Sequence, residues 1–306
     1  QDRQFLPRNQ QVFGPEPGQI IIERFGQADL PGGIGEANDP SPHGQQGRGG
    51  HRQPGQAGGG ERRQQAGGNR QPAEALRLLD GTRILTLLGP GGTGKTRLAL
   101  QVAAEASDRF ADGVYFVALA EISDPGLIPS AVLDALGAAP AGGTRSPGER
   151  LNTLLSTRSV LLVLDNFEHL VEASGVVSEL TRSSPASKFL ITSRIPLRVS
   201  GEQEMPIPPL RVADDAESLD PAALEQVESV RLFLERAAAV RPGLMITADN
   251  AAAVAALARR VDGLPLAIEL VVPRLRLLSV EAILERLDEE LQSLDTQGKT
   301  PEEIQK

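Results

Sequence analysis

The stretch "ILTLLGPGGTGKTRLALQVAAEA", residues 84–106, restricts this chain more than any other. A compact apolar run leads into a glycine-rich loop, and an amphipathic segment with helical spacing leaves it. The eight residues 89–96 fit G-x-x-x-x-G-K-[ST] throughout, in the strand–loop–helix context the pattern needs. Glycines let successive backbone N–H groups curl around a phosphate with no side chain in the way. The helix N-terminus adds partial positive charge. Lys95 is placed to reach β- and γ-phosphates, and the Thr96 hydroxyl suits magnesium. The candidate nucleotide-binding residues are therefore Gly89, Pro90, Gly91, Gly92, Thr93, Gly94, Lys95 and Thr96, with Arg97 beside them.

A second apolar run, "SVLLVLD", ends in Asp165, 70 residues after Lys95. A carboxylate at the tip of a buried strand is suited to hold magnesium through water. The strand-like "GVYFVALA" falls between the two in sequence and leaves room for an extra strand between them in the sheet. Asn166 follows where a second acid would help hydrolysis; it can orient a water but cannot accept a proton. Glu168 is the nearest carboxylate and would have to turn back toward the γ-phosphate. His169 reads as a surface or helix-start histidine. The run "KFLITSR" ends in Thr192, Ser193 and Arg194. Arg194 is either a cation that senses the γ-phosphate or a solvated surface arginine.

Strand-like runs at 83–89, 113–120, 159–165, 188–194 and 202–210 alternate with helical segments, "TRLALQVAAEA", "LIPSAVLDALG" and one near 170–182. A short amphipathic helix, "AEALRLLD", comes before them. That alternation predicts parallel crossovers, with the sheet covered on both faces. The fold class expected is α/β, a P-loop NTPase with a five-stranded parallel sheet. After about residue 212 the strands stop. One helical stripe carries Val230, Phe233, Leu234, Ala237 and Ala238, and another carries Val254, Leu257, Ala258 and Val261 with Asp249 as N-cap. "GLPLAIELVV" and "SVEAILERLDEELQSL" are two more helices, the first ended or kinked by Pro273. The domains expected are a P-loop domain at 74–212 and a small all-α domain at 213–292, with a tail at 293–306.

Residues 1–73 differ from the rest. They hold half of the 32 glycines and many glutamines, with no sustained period. Such a composition predicts disorder, with "GQIIIERF", 18–25, as the one candidate strand. The chain begins with Gln, and Thr300-Pro301-Glu302-Glu303 reads as a helix start close to the last residue. Both features suggest a fragment of a longer protein, although a frayed acidic tail would read the same way.

The net charge of −9 argues against a broad nucleic-acid surface. Aromatics make up only 3% of residues, so the core must be aliphatic. There is no cysteine, which excludes disulfides and thiolate chemistry and fits a reducing compartment. No apolar run approaches the roughly 18 residues of a membrane span. A cytoplasmic location is expected, with no membrane partner.

Taken in order, "TLLGPGGTGKTRLALQVA", "LLVLDNFEHL", "ITSR", "GEQEMPIPPL" and "GLPLAIELVVPRLRLLS" resemble the STAND class of P-loop ATPases. The form they are similar to is the NB-ARC-like one found in large bacterial transcriptional regulators of the LuxR and SARP types. The resemblance covers about residues 74–290. It implies ATP/ADP and Mg²⁺ as ligands, Arg194 as the sensor arginine, and a Gly263-Leu264-Pro265-Leu266 motif packing a helix start against adenine and ribose. Three departures stand out. The short Gly-Arg-Glu signature usual before the phosphate loop is missing, so residues 1–73 are either a natural extension or of other origin, such as a shifted frame. Pro273 replaces a continuing helix. The winged-helix, sensor-repeat and DNA-binding parts do not follow.

The function expected is an ATP/ADP-binding regulatory switch with slow ATPase activity. Lys95, Asp165, Glu168 and Arg194 are its catalytic candidates, and Thr96 and Asp165 its magnesium ligands. Other domains of the parent regulator are expected partners, with nucleotide-dependent self-association and no sequence-specific DNA binding by this segment itself. Two alternatives remain at this level: a P-loop kinase acting on a small acceptor, and a nucleic-acid-stimulated ATPase.

Overall fold

Five short runs pair side by side so that their backbones are satisfied in a ladder, and the three inner ones are buried on both faces. The computed structural model describes residues 70–138 and 144–296. The opening helix α1 (Arg70–Gly81) leads to β1 (Ile84–Leu88) and α2 (Lys95–Ala106). Then come β2 (Val114–Ala118), α3 (Ile128–Ala135), α4 (Pro147–Leu155) and β3 (Leu161–Asp165). A 3-10 helix (Phe167–Ala173) precedes α5 (Gly175–Ser183), β4 (Lys188–Ser193) and β5 (Glu202–Pro206). The sheet is parallel throughout, in the order β2-β3-β4-β1-β5. An extra strand does lie between the phosphate-loop strand and the Asp165 strand. It is β4, however, while the sequence-intermediate β2 is at the edge.

Alternate residues on each strand feed opposite cores. Leu162 and Leu164 on β3, with Phe189 and Ile191 on β4, pack toward α3, α4 and α5. Leu161, Val163, Leu190, Leu85 and Leu87 face α1 and α2. The register sets Leu88 opposite Ser193 and Ala118 opposite Asp165, so the carboxyl ends of β1, β3 and β4 finish together. That edge is where open α/β sheets bind ligands.

The second unit comprises α6 (Pro221–Leu224), α7 (Glu228–Val240), α8 (Ala251–Arg260), α9 (Pro265–Val271) and α10 (Val280–Thr296). Its core contains Val230, Phe233, Ala237, Val254, Leu257, Ala258, Ile268 and Ile283. The expected stripe on α7 is narrower than the sequence suggests: Ala238 is exposed and Leu234 only partly buried. Pro273 does end α9, which passes into a 3-10 helix, Val272–Arg276.

Four local expectations are corrected. The cap of α8 is Asn250, not Asp249; its Oδ1 accepts from Thr247 N at 2.8 Å. The helix near 170–182 is two pieces, meeting at Gly175, a weak helix former. Helix α4 was not anticipated, although Ser146 and Glu149 form a capping box with Pro147 in the first turn. Helix α1 begins at Arg70, inside the glycine-rich segment, because Pro72 in a first turn does not interrupt a helix. The candidate strand at 18–25 and the helix start at 300–303 lie outside the described residues. Among the described residues no helix is long and apolar enough to cross a membrane.

Candidate functional site

The loop between β1 and α2 turns tightly, with Gly92 and Gly94 at φ of 79° and 90°, a backbone that L side chains rarely adopt. Gly89 is required for a different reason. A methyl group there would lie 2.3 Å from the Ile207 carbonyl oxygen, so Gly89 lets the segment after β5 close behind the loop. Thr93 turns inward and donates to the Pro90 carbonyl at 3.1 Å. Gly89, Pro90 and Thr93 thus shape the loop. Gly91, Gly92, Gly94, Lys95, Thr96 and Arg97 line a cavity of about 370 Å³.

Lys95 bends over its own loop, with Nζ donating to the carbonyls of Gly89 at 2.8 Å and Pro90 at 2.9 Å. Burial pulls its ammonium below the ordinary lysine value. Glu168 and Asp165 oppose that pull, and Arg194 adds to it. On the facing strand Asp165 Oδ1 accepts from Thr96 Oγ1 at 2.7 Å and from Thr192 Oγ1 at 2.6 Å. Thr192 Oγ1 in turn accepts from Asn166 N at 2.9 Å. A hydroxyl and a carboxylate meeting in this way are the oxygen donors a hard cation takes. The residues present therefore fit magnesium beside a phosphate cradle.

Asn166 adopts the left-handed conformation, φ 66°. That single residue turns the chain sharply after β3 and brings Glu168 back to the cavity, as the sequence required of it. Glu168 Oε1 pairs with Arg194 Nε at 2.9 Å. Glu168 Oε2 is buried and makes no hydrogen bond. The Arg194 guanidinium lies over Gly91, within 3.3 Å of where a methyl group on that glycine would sit. Asn166, Glu168, Thr192 and Arg194 all line the cavity. His169 is directed elsewhere; its Nε2 lies 2.8 Å from the Ile122 carbonyl oxygen.

The helical unit supplies the remaining wall with Pro265, Leu266 and Glu269 of α9. Leu266 N donates to the Gly92 carbonyl at 3.2 Å, joining α9 to the phosphate loop. The turn before α9 is held by Gly263, φ 61°, whose carbonyl accepts from Leu210 N at 3.0 Å. Two of these residues have roles that sequence reading missed. Thr192 positions Asp165, and the only signal was a hydroxyl near the end of a strand. Glu269 reaches the cavity because it lies one turn beyond Pro265 on the same helix face, a spacing that could have been noticed.

Residues 78–206 match the family model described as an AAA domain. Over 213 residues the chain is 39% identical to a Mycobacterium tuberculosis protein named as an HTH-type transcriptional regulator, an alignment covering 69% of this chain and 22% of that protein. It is 29% identical over 224 residues to the regulatory protein AfsR of Streptomyces griseus, covering 69% of this chain and 20% of the relative. The chain thus spans about a fifth of the length of these regulators. A chain in a structure of Drosophila ORC bound to DNA is similar with a TM-score of 0.48 and 18% identity, over 76% of this chain and 68% of that one. Residues 78–206 thus resemble an AAA domain, and the chain aligns with part of two proteins named as regulators.

Proposed function

We propose that this chain is the nucleotide-dependent switch of a larger regulator, one that holds ATP or ADP with Mg²⁺ and hydrolyses ATP slowly. The observation that carries the reading is the bond from Leu266 N to the Gly92 carbonyl. It makes the helical unit part of the phosphate cavity. A ligand shifts a conformational equilibrium only by its difference in affinity for the two states. A nucleotide in a cavity walled by both units has the means to provide that difference.

In this reading Lys95 and the loop amides hold the β- and γ-phosphates, and Arg194 meets the γ-phosphate. Thr96 and Asp165 hold magnesium, which when bound adds positive charge where negative charge builds up. Glu168 orients or deprotonates the attacking water. Phosphoryl transfer depends mostly on positioning and charge stabilisation. The carboxylate in this role is tied to an arginine, which favours slow turnover. Pro265 packs against the base and ribose. The partners are the remaining domains of the parent regulator, with nucleotide-dependent self-association. Sequence-specific DNA contact is left to those other domains.

The test has two parts. Nucleotide released from the purified chain by denaturation is identified; co-purified ADP agrees with a held state. Limited proteolysis across 207–214, the connection between the units, is then compared with ADP and with ATP. Identical cleavage in both, together with fast turnover, would reject the switch.

A further inference from the structure

The groups lining the cavity do not all come from the phosphate-binding unit. Lys95, Arg97, Arg194 and Glu168 do, but Glu269 comes from α9. A carboxylate beside a phosphate cradle is electrostatically unfavourable, so its placement calls for a reason. The position of α9 is fixed at its start. Leu266 N donates to the Gly92 carbonyl, and a methyl group on Gly92 would lie 3.1 Å from Leu266 Cβ. Glu269 lies three residues further along, about 4.5 Å in helix rise. While α9 is seated on the loop, its carboxylate stays at the cavity wall. Arg236 on α7 holds it there, Nε to Oε1 at 2.9 Å. Both members of this pair belong to the helical unit, so any force on Glu269 acts on that unit relative to the loop.

From this we infer that Glu269, held by Arg236, sets the preference of the cavity between nucleoside diphosphate and triphosphate. The inference rests on the nucleotide-switch reading above and supplies its missing discriminator. A triphosphate brings at least one more negative charge than a diphosphate. Glu269 repels that charge, and Arg236 partly offsets the repulsion. The seated arrangement therefore favours the diphosphate, and triphosphate strains the contact between α9 and the phosphate loop. A single charge pair screened to near its strength in water changes an affinity ratio by about fivefold.

The experiment is calorimetry on the full 306-residue chain with Mg-ADP and with a non-hydrolysable Mg-ATP analogue, read as the ratio of the two Kd values. Glu269→Gln is expected to move the ratio about fivefold toward the triphosphate. Arg236→Gln is expected to move it the other way, because Glu269 then acts without its neutralising cation. Opposite movements are a readout that a merely structural pair would not produce. An unmoved ratio in Glu269→Gln, equal losses for both nucleotides, or movement of both variants in one direction overturns the inference while leaving nucleotide binding intact. Binding of neither nucleotide by the parent chain overturns the phosphate site itself, and the inference with it.

Discussion

Arg194 Nε and Glu168 Oε1 meet at 2.9 Å across the ends of two adjacent strands, and the second oxygen of Glu168 is buried without a hydrogen bond. In the proposed mechanism the pair holds the carboxylate that would activate water beside an arginine that would meet the γ-phosphate. Turnover is therefore expected well below the roughly 10 s⁻¹ typical of enzymes. Glu168→Gln should slow single-turnover hydrolysis by about 10²-fold, the lower range for a positioned acid–base group. Asn166→Asp adds a carboxylate at the turn and should raise the rate. An unchanged rate in Glu168→Gln would remove Glu168 from the chemistry.

Lys95→Ala should abolish tight binding of ATP and ADP, because its ammonium is the main side-chain countercharge and the loop amides alone are weaker. Asp165→Ala should instead remove most of the magnesium dependence while leaving metal-free ADP binding. Wild-type affinity by calorimetry in Lys95→Ala would refute the site.

Nucleotide affinity should fall on the alkaline side earlier than an ordinary lysine would allow. Burial lowers the proton affinity of Lys95 in the free chain, and a bound phosphate would restore it. Binding is then full while Lys95 is protonated and declines as pH rises through its lowered value. Calorimetry of ADP binding across an alkaline pH series measures this. Lys95→Arg, whose guanidinium stays charged, should lose the decline; the same decline in that variant would assign it to another group.

Gly263→Ala should destabilise the seating of the helical unit. A methyl group there would lie 2.1 Å from the Leu210 carbonyl oxygen, at a φ of 61° that L residues avoid. Backbone strain and overpacking together make a cost of about 3 kcal/mol reasonable. A thermal midpoint equal to the parent would contradict the close approach.

Thr86→Val should stabilise the chain by about 1 kcal/mol. Thr86 is fully buried in the inner strand β1, and its hydroxyl has no hydrogen-bond partner. Valine keeps the shape and removes the unsatisfied group. Urea unfolding that shows a loss instead would mean that the hydroxyl is satisfied in solution.

Much of the α/β unit was legible in the sequence because its three inner strands are buried on both faces and so read as nearly continuous apolar runs. The phosphate loop was legible because its glycines and Lys95 are spaced by local backbone geometry. Helix α4 and the split after Asn166 were harder to read, since capping and one left-handed residue are weak signals beside periodicity. The stripe on α7 was overestimated because alanine is compatible with either face.

What the sequence by itself determined is whatever depends on neighbours along the chain: the loop, the strand that carries Asp165, the helix start at Pro265, and the stop at Pro273. What only the tertiary structure decided is which distant residues meet. The insertion of β4 between β1 and β3 places Thr192 against Asp165 and Arg194 against Glu168. The seating of α9 brings Leu266 and Glu269 to a loop more than 170 positions earlier in the chain. Local spacing fixes which side chains share a helix face or a strand end. Strand order and domain docking result from burying two cores at once, and that requirement is spread over the whole chain rather than held in any one motif.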